Sequence, residues 1–417
     1  MITRRNFLPM IGLGAATLAA TLSPSVSATL RQLRQPKHLI VVFASGGWDV
    51  AYALDAKPSS AFVDTPAGTL NRYADFEILT DTSRPGIANY FAQDASIGVL
   101  VRGISTQSFI HEQSSQRVLT GSAGVERPDL AAQIAADLGV DRPIPYLVLG
   151  GAGRVGPFGH LASRAGTTNQ LATLAAGDLE GSDPLALAGP PGFRPTSAQE
   201  ELTRAFLDRR YDALAGSTRE LSVIDLHRSS SQRGQLLRDF AKKNNGLGAR
   251  GYTPDLAVQV DVALAALQDG LCQSLFLQHE GWDTHSANDQ QSALHDQLFT
   301  ELAHLSQGLQ DRNLLDETLV VVLSEMGRTP KLNESQGKDH WPVSAAWIFG
   351  AGIRGGRAVG ATNERLVAES IDFQTGTPSA TGRPLQTPNL AATILTLCGA
   401  APQGALADVE VLNALLS

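Results

Sequence analysis

Six short, strongly apolar runs constrain this chain more than any other feature: Leu39–Ala44, Ile97–Val101, Tyr146–Leu149, Ser274–Leu277, Leu319–Leu323 and Ala345–Phe349. A strand with one face in water alternates polar and apolar residues; a strand covered on both faces does not. These runs lack the alternation, so they read as interior strands. Helical patterns separate several of them. Thr253-Pro254 reads as a helix start, after which Leu256, Val260, Ala263, Leu264 and Leu267 share one face and Gly270 closes the helix. From Asp289 to Arg312, Leu294, Leu298, Leu302, Leu305 and Leu309 recur every three or four residues. Thr387-Pro388 repeats the cap-and-proline start, and Leu390, Ile394 and Leu397 precede Gly399. Buried strands alternating with helices define an α/β fold, a mainly parallel sheet sandwiched by helices.

The N-terminus reads as an address. Thr3-Arg4-Arg5-Asn6-Phe7-Leu8 carries the paired arginines of a twin-arginine signal, and the run from Ile11 to Leu22 is apolar and rich in small residues. Val26-Ser27-Ala28 fits a cleavage site, so residues 1–28 read as a signal peptide and the mature chain begins near Thr29. The expected partner is the twin-arginine translocase and the expected destination the periplasm or cell exterior. The apolar run is too short to remain a stable membrane insertion after cleavage. A net charge of -8 argues against a nucleic-acid partner. Cys272 and Cys398 lie in apolar runs, where a disulfide and two buried free thiols are both open readings, and they offer no cysteine-based zinc site.

From about residue 150 to 251 the pattern changes. Gly189-Pro190-Pro191-Gly192 breaks the chain, and the remainder is helical and basic, with Arg204, Arg209, Arg210, Arg219, Arg228, Arg233, Arg238, Lys242 and Lys243. This segment reads as a largely helical insertion over one end of the sheet, its charges forming a solvated face rather than an anion site. Gly150-Gly151-Ala152-Gly153 lacks the helix and acidic residue that a dinucleotide loop requires.

In open α/β sheets, ligands bind beyond the carboxyl ends of the strands. Asp49 follows the first apolar run, Asp283 and His285 follow Ser274–Leu277, Glu325 follows Leu319–Leu323, and His340 precedes Ala345–Phe349. A surface turn or helix start accounts for any one of these alone; their joint placement points to metal binding, because clustered carboxylates need a compensating partner. Asp283, His285 and His340 make a three-ligand set with a position left for water or substrate, and Glu325 and Asp49 are candidates for a second ion or a fixed water. Zinc, manganese, magnesium and calcium all remain open. Ser108 and His111 are candidates for acting on a substrate, with helix capping the alternative for Ser108, and Arg328 for binding its anionic oxygens.

These residues also carry a resemblance. Gly-Gly-x-Asp at 46–49, His-x-x-x-x-Gln at 111–116, Gly-Trp-Asp-Thr-His at 281–285, Ser-Glu-x-Gly-Arg-Thr at 324–329, Asp-His-Trp at 339–341 and Gly-Gly-x-x-x-Gly-x-Thr at 355–362 resemble the DUF1501 proteins. That family of exported bacterial proteins is placed among distant relatives of the alkaline phosphatase and sulfatase superfamily. The resemblance implies an alkaline phosphatase-like domain over residues 29–417. It also implies a two-metal site for phosphoryl or sulfuryl transfer, with Asp283, His285 and His340 as one set and Asp49 and Glu325 as part of the second. The chain departs from the superfamily at Glu325-Met326, where an Asp-His pair is usual; a thioether is no ligand for a hard ion. The leading expectation is an exported metal-dependent hydrolase acting on an anionic phosphate or sulfate ester. The rival is a non-catalytic binding or assembly protein on the same fold, keeping at most one structural ion. A glycosidase with paired carboxylates is a weaker third reading, given few aromatic residues to line a sugar groove.

Overall fold

The apolar runs pair into one eight-stranded sheet. The computed structural model describes residues 35–124, 127–164, 197–214, 224–225, 228, 232–237, 239–240 and 255–416. The strands are β1 (His38–Ala44), β2 (Gly98–Ser105), β3 (Tyr146–Val148), β4 (Ala162–Arg164), β5 (Ser274–His279), β6 (Thr318–Ser324), β7 (Val343–Gly350) and β8 (Arg357–Val359). Their spatial order is β8-β2-β7-β6-β1-β5-β3-β4. All neighbouring pairs are parallel except those of β7, which runs antiparallel to both β2 and β6.

The absence of alternation in the strands has the cause expected. Ile40, Val42, Leu275, Leu277, Val320 and Val322 face a core built with α1 (Pro85–Asp94), α5 (Leu256–Gln268) and α6 (Gln290–Asp311). Leu39, Val41, Phe43, Phe276, Val321 and Leu323 face a second core, built with α2 (His111–Thr120), α3 (Leu130–Leu138) and α7 (Thr387–Leu397). Both pleat faces of each strand are dry, so every residue of β1 and β6 is buried. The sheet is therefore mainly parallel and covered by helices on both sides.

Local differences have physical reasons. α7 starts at Thr387, with Gln386 as its cap and a reciprocal bond from Asn389. The long amide of Gln386 reaches the first turn, so threonine is not needed there. Thr253-Pro254 and the signal segment lie outside the described residues; the described cap of α5 is Asp255. Of the arginine-rich segment, α4 (Ser197–Leu214) is described and carries Arg204, Arg209 and Arg210 exposed, whereas Arg219, Arg238, Lys242 and Lys243 lie outside. Cys272 and Cys398 are free and buried, and burial pushes each thiol up to about 12. Among the described residues, no helix is long and apolar enough to cross a membrane.

The same dry interior holds titratable groups. Burial lowers His38 to about 4 and His295 to about 3, and lowers His279 as well. In the unfolded chain these imidazoles take up a proton near 6.5, while the folded chain refuses it until far lower pH. Their contribution is thus intact above pH 6.5 and is lost as pH falls toward 4. Asp129, which burial raises to about 6, works in the opposite direction over a smaller range. Thermal melting is expected to fall steeply between pH 6.5 and 4, and His38→Gln to remove roughly 3 kcal/mol of that acid sensitivity. Identical pH slopes for the two proteins would show that His38 is not the group concerned.

Candidate metal centre

The antiparallel course of β7 decides where the site forms. β6 ends and β7 begins at the same edge of the sheet, which is also the carboxyl edge of β1, β2, β3 and β5. The connection from β6 to β7 folds back as a short antiparallel ribbon, Gly327–Arg328 against His340–Trp341. Three connections thereby deliver His111 after β2, Asp283 and His285 after β5, and Glu325, Arg328, Asp339 and His340 between β6 and β7.

Four of these side chains converge. One ligand atom from each of His111, Asp283, His285 and His340 lies within 4.8 Å of the others, a group that can hold a metal ion. Asp283 Oδ1 stands 3.2 Å from His111 Nε2, 3.2 Å from His285 Nε2 and 3.5 Å from His340 Nε2. The Nε2 atoms of His285 and His340 are 2.9 Å apart. Tetrahedral zinc with bonds of 2.0–2.1 Å spaces its ligands by roughly 3.3 Å, which is the scale of these separations.

The outer nitrogens fix which lone pairs face inward. His340 Nδ1 lies 2.6 Å from the Phe109 carbonyl, which can only accept, so that nitrogen carries the proton. His285 Nδ1 lies 2.9 Å from Asp339 Oδ1, and His111 Nδ1 lies 2.9 Å from Glu325 Oε1. With each Nδ1–H donated outward, the neutral rings point three Nε2 lone pairs at one carboxylate oxygen. Such a set is self-repelling without a cation among them. His111 Nε2 is buried and has no hydrogen-bond partner, which leaves its lone pair free to act as a ligand. The Glu325 hydrogen bond raises the His111 pKa against the opposing effect of burial. For Asp283 burial favours the neutral acid, but the Arg328 hydrogen bond and charge prevail and hold the carboxyl below its usual range.

The supports around this group are rigid. Glu325 is buried and also accepts the Gly46 N–H at 2.8 Å. Gly46 has φ +122, and a Cβ there would stand 2.5 Å from the Asp283 nitrogen, so only glycine lets the β1 loop pass the Asp283 loop. Beneath, Trp282 packs edge-on against Trp48 and His295, and Gln291 ties the two loops by accepting from Asp49 N and donating to the Trp282 carbonyl. Outer partners of this kind tune ligand orientation and basicity. Glu325→Gln and Asp339→Asn are each expected to weaken ion binding by about 10–100-fold with the fold intact, measured by competition with a chelator. Unchanged affinity in both would separate those carboxylates from the site.

The other residues singled out by sequence take different places. Asp49 is not brought to the group. It is fully buried, caps a short 3-10 turn at Val50–Tyr52, and pairs with Lys338 Nζ at 2.7 Å and Asn288 Nδ2 at 2.9 Å. Its charge is answered by a lysine, so no second ion is called for there. Glu325 reaches the centre through His111 rather than as a member of the four. Arg328 is fully buried; it donates from Nε to the Gly47 carbonyl, from Nη1 to Lys338 O and from Nη2 to Gly46 O and Asp283 Oδ1. A guanidinium so fully engaged positions Asp283 and has no fork left for a substrate. Ser108 caps neither α2 nor the site: its buried hydroxyl accepts the Ile110 N–H and meets the Gln113 amide oxygen, while Ile110 occupies the cap position without a side-chain bond. Met326 is buried in the core. Asp339 and the Phe109 carbonyl had not been singled out as imidazole anchors; adjacency to His340 and His111 was the signal available.

An open cleft of about 480 Å³ leads to the group, lined by Ser45, Glu112, Arg154, Glu280 and Asp283 among others. Fold and site together define a three-layer α/β protein with a nitrogen-rich side-chain group, able to hold a cation, at the carboxyl edge of its sheet. The family model described as "Protein of unknown function (DUF1501)" matches residues 36–410, and the chain belongs to that family. No curated protein matches the sequence. Among solved structures, it is similar to a protein in the alkaline phosphatase superfamily from Vibrio parahaemolyticus, with 8% identity, 93% of this chain and 72% of that one covered, and a TM-score of 0.43. It is also similar to the phosphonate monoester hydrolase SpPMH from Silicibacter pomeroyi (13% identity, 92% and 76% covered, TM-score 0.42). The alkaline phosphatase from the Antarctic bacterium TAB5 is a further likeness (14% identity, 78% and 95% covered, TM-score 0.35).

Proposed function

We propose that this chain is an exported hydrolase of phosphate or sulfate esters that works with one divalent ion, held by His111, Asp283, His285 and His340. The observation that carries the reading is the convergence of three Nε2 lone pairs and a carboxylate oxygen at the mouth of a cleft. Three imidazoles and one carboxylate suit zinc or another nitrogen-loving transition ion better than magnesium or calcium, which prefer all-oxygen shells. With four protein ligands filling a tetrahedral shell, an ion bound there would supply Lewis acidity toward an ester oxygen or water by expanding to a fifth position. The protein's own part is orientation. Glu325, Asp339 and the Phe109 carbonyl keep the Nδ1 protons outward, and Arg328 fixes Asp283.

The twin-arginine segment supports export of the already folded chain from the cytoplasm. The helical segment at about 150–251 is proposed to be an insertion in the same domain. The experiment is a panel of phosphate and sulfate monoesters and diesters, offered to zinc-loaded mature protein alongside Asp283→Asn. Turnover present in the first and absent in the second supports the reading. The second reading, a binding or assembly protein, is favoured by one observation: the Lys338 partner of Asp49, which removes the carboxylate that a two-ion site would use. Stoichiometric zinc with no turnover on any ester would select it.

A further inference from the structure

Arg328 leaves a question of charge: an anionic ester entering the cleft meets Glu112, Glu280, Asp283 and Glu325, yet the arginine nearest the ion site in sequence faces inward. We infer that Arg154 is the anion-recognising residue of this cleft and restricts it to substrates bearing an oxyanion. The inference rests on the proposed hydrolase reading.

Three observations bring the role to Arg154. It lines the cleft together with His111 and Asp283, and it is the only arginine or lysine among the described residues lining it. Its guanidinium has no hydrogen bond or ion pair with any other described residue, whereas the other arginine of the site makes four hydrogen bonds inside the protein. Four carboxylates share the cleft without capturing it, so its fork stays available for a ligand. Third, its backbone is fastened by a buried device. Asp129 donates its N–H to the Arg154 carbonyl at 2.8 Å, and the Asp129 carboxylate accepts the Arg154 N–H at 2.6 Å. The same carboxylate accepts the Tyr146 hydroxyl at 2.6 Å, anchoring the residue to β3 and to the start of α3. A half-buried arginine on a fixed backbone, with no internal partner, is built to meet a planar oxyanion by two parallel N–H bonds.

The neighbouring acids give the arginine its selectivity. Without a countercharge from Arg154, Glu112 and Glu280 would repel a phosphate or sulfate group; with it, they disfavour any ligand that does not occupy the guanidinium. A neutral carboxylic ester makes no such pair, so the cleft rejects it although the ion centre would accept its carbonyl.

The test uses inorganic phosphate and sulfate as probes, titrated calorimetrically into the full mature chain dialysed against zinc, with zinc content measured on the same samples. Wild type is expected to bind phosphate, Arg154→Gln to bind it about tenfold to a hundredfold more weakly, and Arg154→Lys to fall between, because an ammonium keeps the charge but loses the fork. Zinc content should be the same in all three. Equal phosphate affinity in wild type and Arg154→Gln, with zinc bound, overturns the inference and leaves the hydrolase reading standing. Absence of zinc from wild type, with phosphate still bound and lost on Arg154→Gln, sustains the anion site and overturns the hydrolase reading. No binding of either oxyanion by wild type overturns the inference.

Discussion

Asp283→Asn is expected to reduce hydrolysis of a phosphate or sulfate ester by about 1,000-fold or more, the equivalent of roughly 4 kcal/mol of transition-state stabilisation. The size follows from the position of one atom. Asp283 Oδ1 is the point on which three Nε2 atoms converge, and it is the only carboxylate oxygen in the four-residue group. Replacing it by an amide removes the single negative charge from the set while keeping the volume. It also turns an acceptor of the buried Arg328 guanidinium into a group whose NH₂ end would repel it. The variant should melt near the wild-type temperature, because Asp283 is about half exposed and Arg328 keeps its carbonyl partners. Retained turnover in Asp283→Asn, measured with zinc in excess, would place the chemistry elsewhere.

The second large effect is on stability. Lys338→Met is expected to destabilise the fold by about 3–5 kcal/mol, because it strips the partner from a fully buried carboxylate. Lys338 Nζ holds Asp49 at 2.7 Å and the Asp64 carbonyl at 2.8 Å, and both charged side chains have no exposure to water. Asp49→Leu should cost a similar amount by orphaning the ammonium. The double variant Asp49→Leu, Lys338→Met should recover much of the loss, since replacing both charges by apolar groups also removes the desolvation penalty. Denaturant unfolding of the four proteins completes the cycle. Additive losses would show that the pair is not coupled. A further consequence is positional: Lys338 precedes Asp339 and His340, and its carbonyl takes Arg328 Nη1. Loosening the pair should therefore weaken ion binding as well as the fold.

Much of the architecture was legible in the sequence because burial on two faces leaves a mark on composition. Six unalternating runs gave the interior strands, and the leucine spacing from Leu294 to Leu309 gave α6. Strand direction leaves no such mark. Ala345–Phe349 looks like any buried strand, yet it runs against its neighbours, and that reversal is what carries His340 to the carboxyl edge. The approach of Asp283, His285 and His340 was readable from loops that follow or precede strands. The fate of Asp49 was not. Its position after β1 is the same as a ligand would have, and the arrival of Lys338 and Asn288 from far along the chain holds its carboxylate inside. Arg328 misled for a related reason: an arginine in a loop rich in polar residues suggests solvent, but the backbone carbonyls of Gly46, Gly47 and Lys338 draw it inside. Arg154 gave no sequence signal, since it sits at the start of a segment whose pattern resembles none of the motifs.

The most direct test is the metal content of the purified chain. After dialysis against buffer without chelator and elemental analysis, wild type is expected to hold about one transition ion per chain, zinc foremost, and His285→Ala to hold almost none while melting at a similar temperature. A wild-type protein free of divalent ions even after incubation with zinc, or a His285→Ala variant with undiminished metal, would contradict the assignment of His111, Asp283, His285 and His340 as an ion-binding centre.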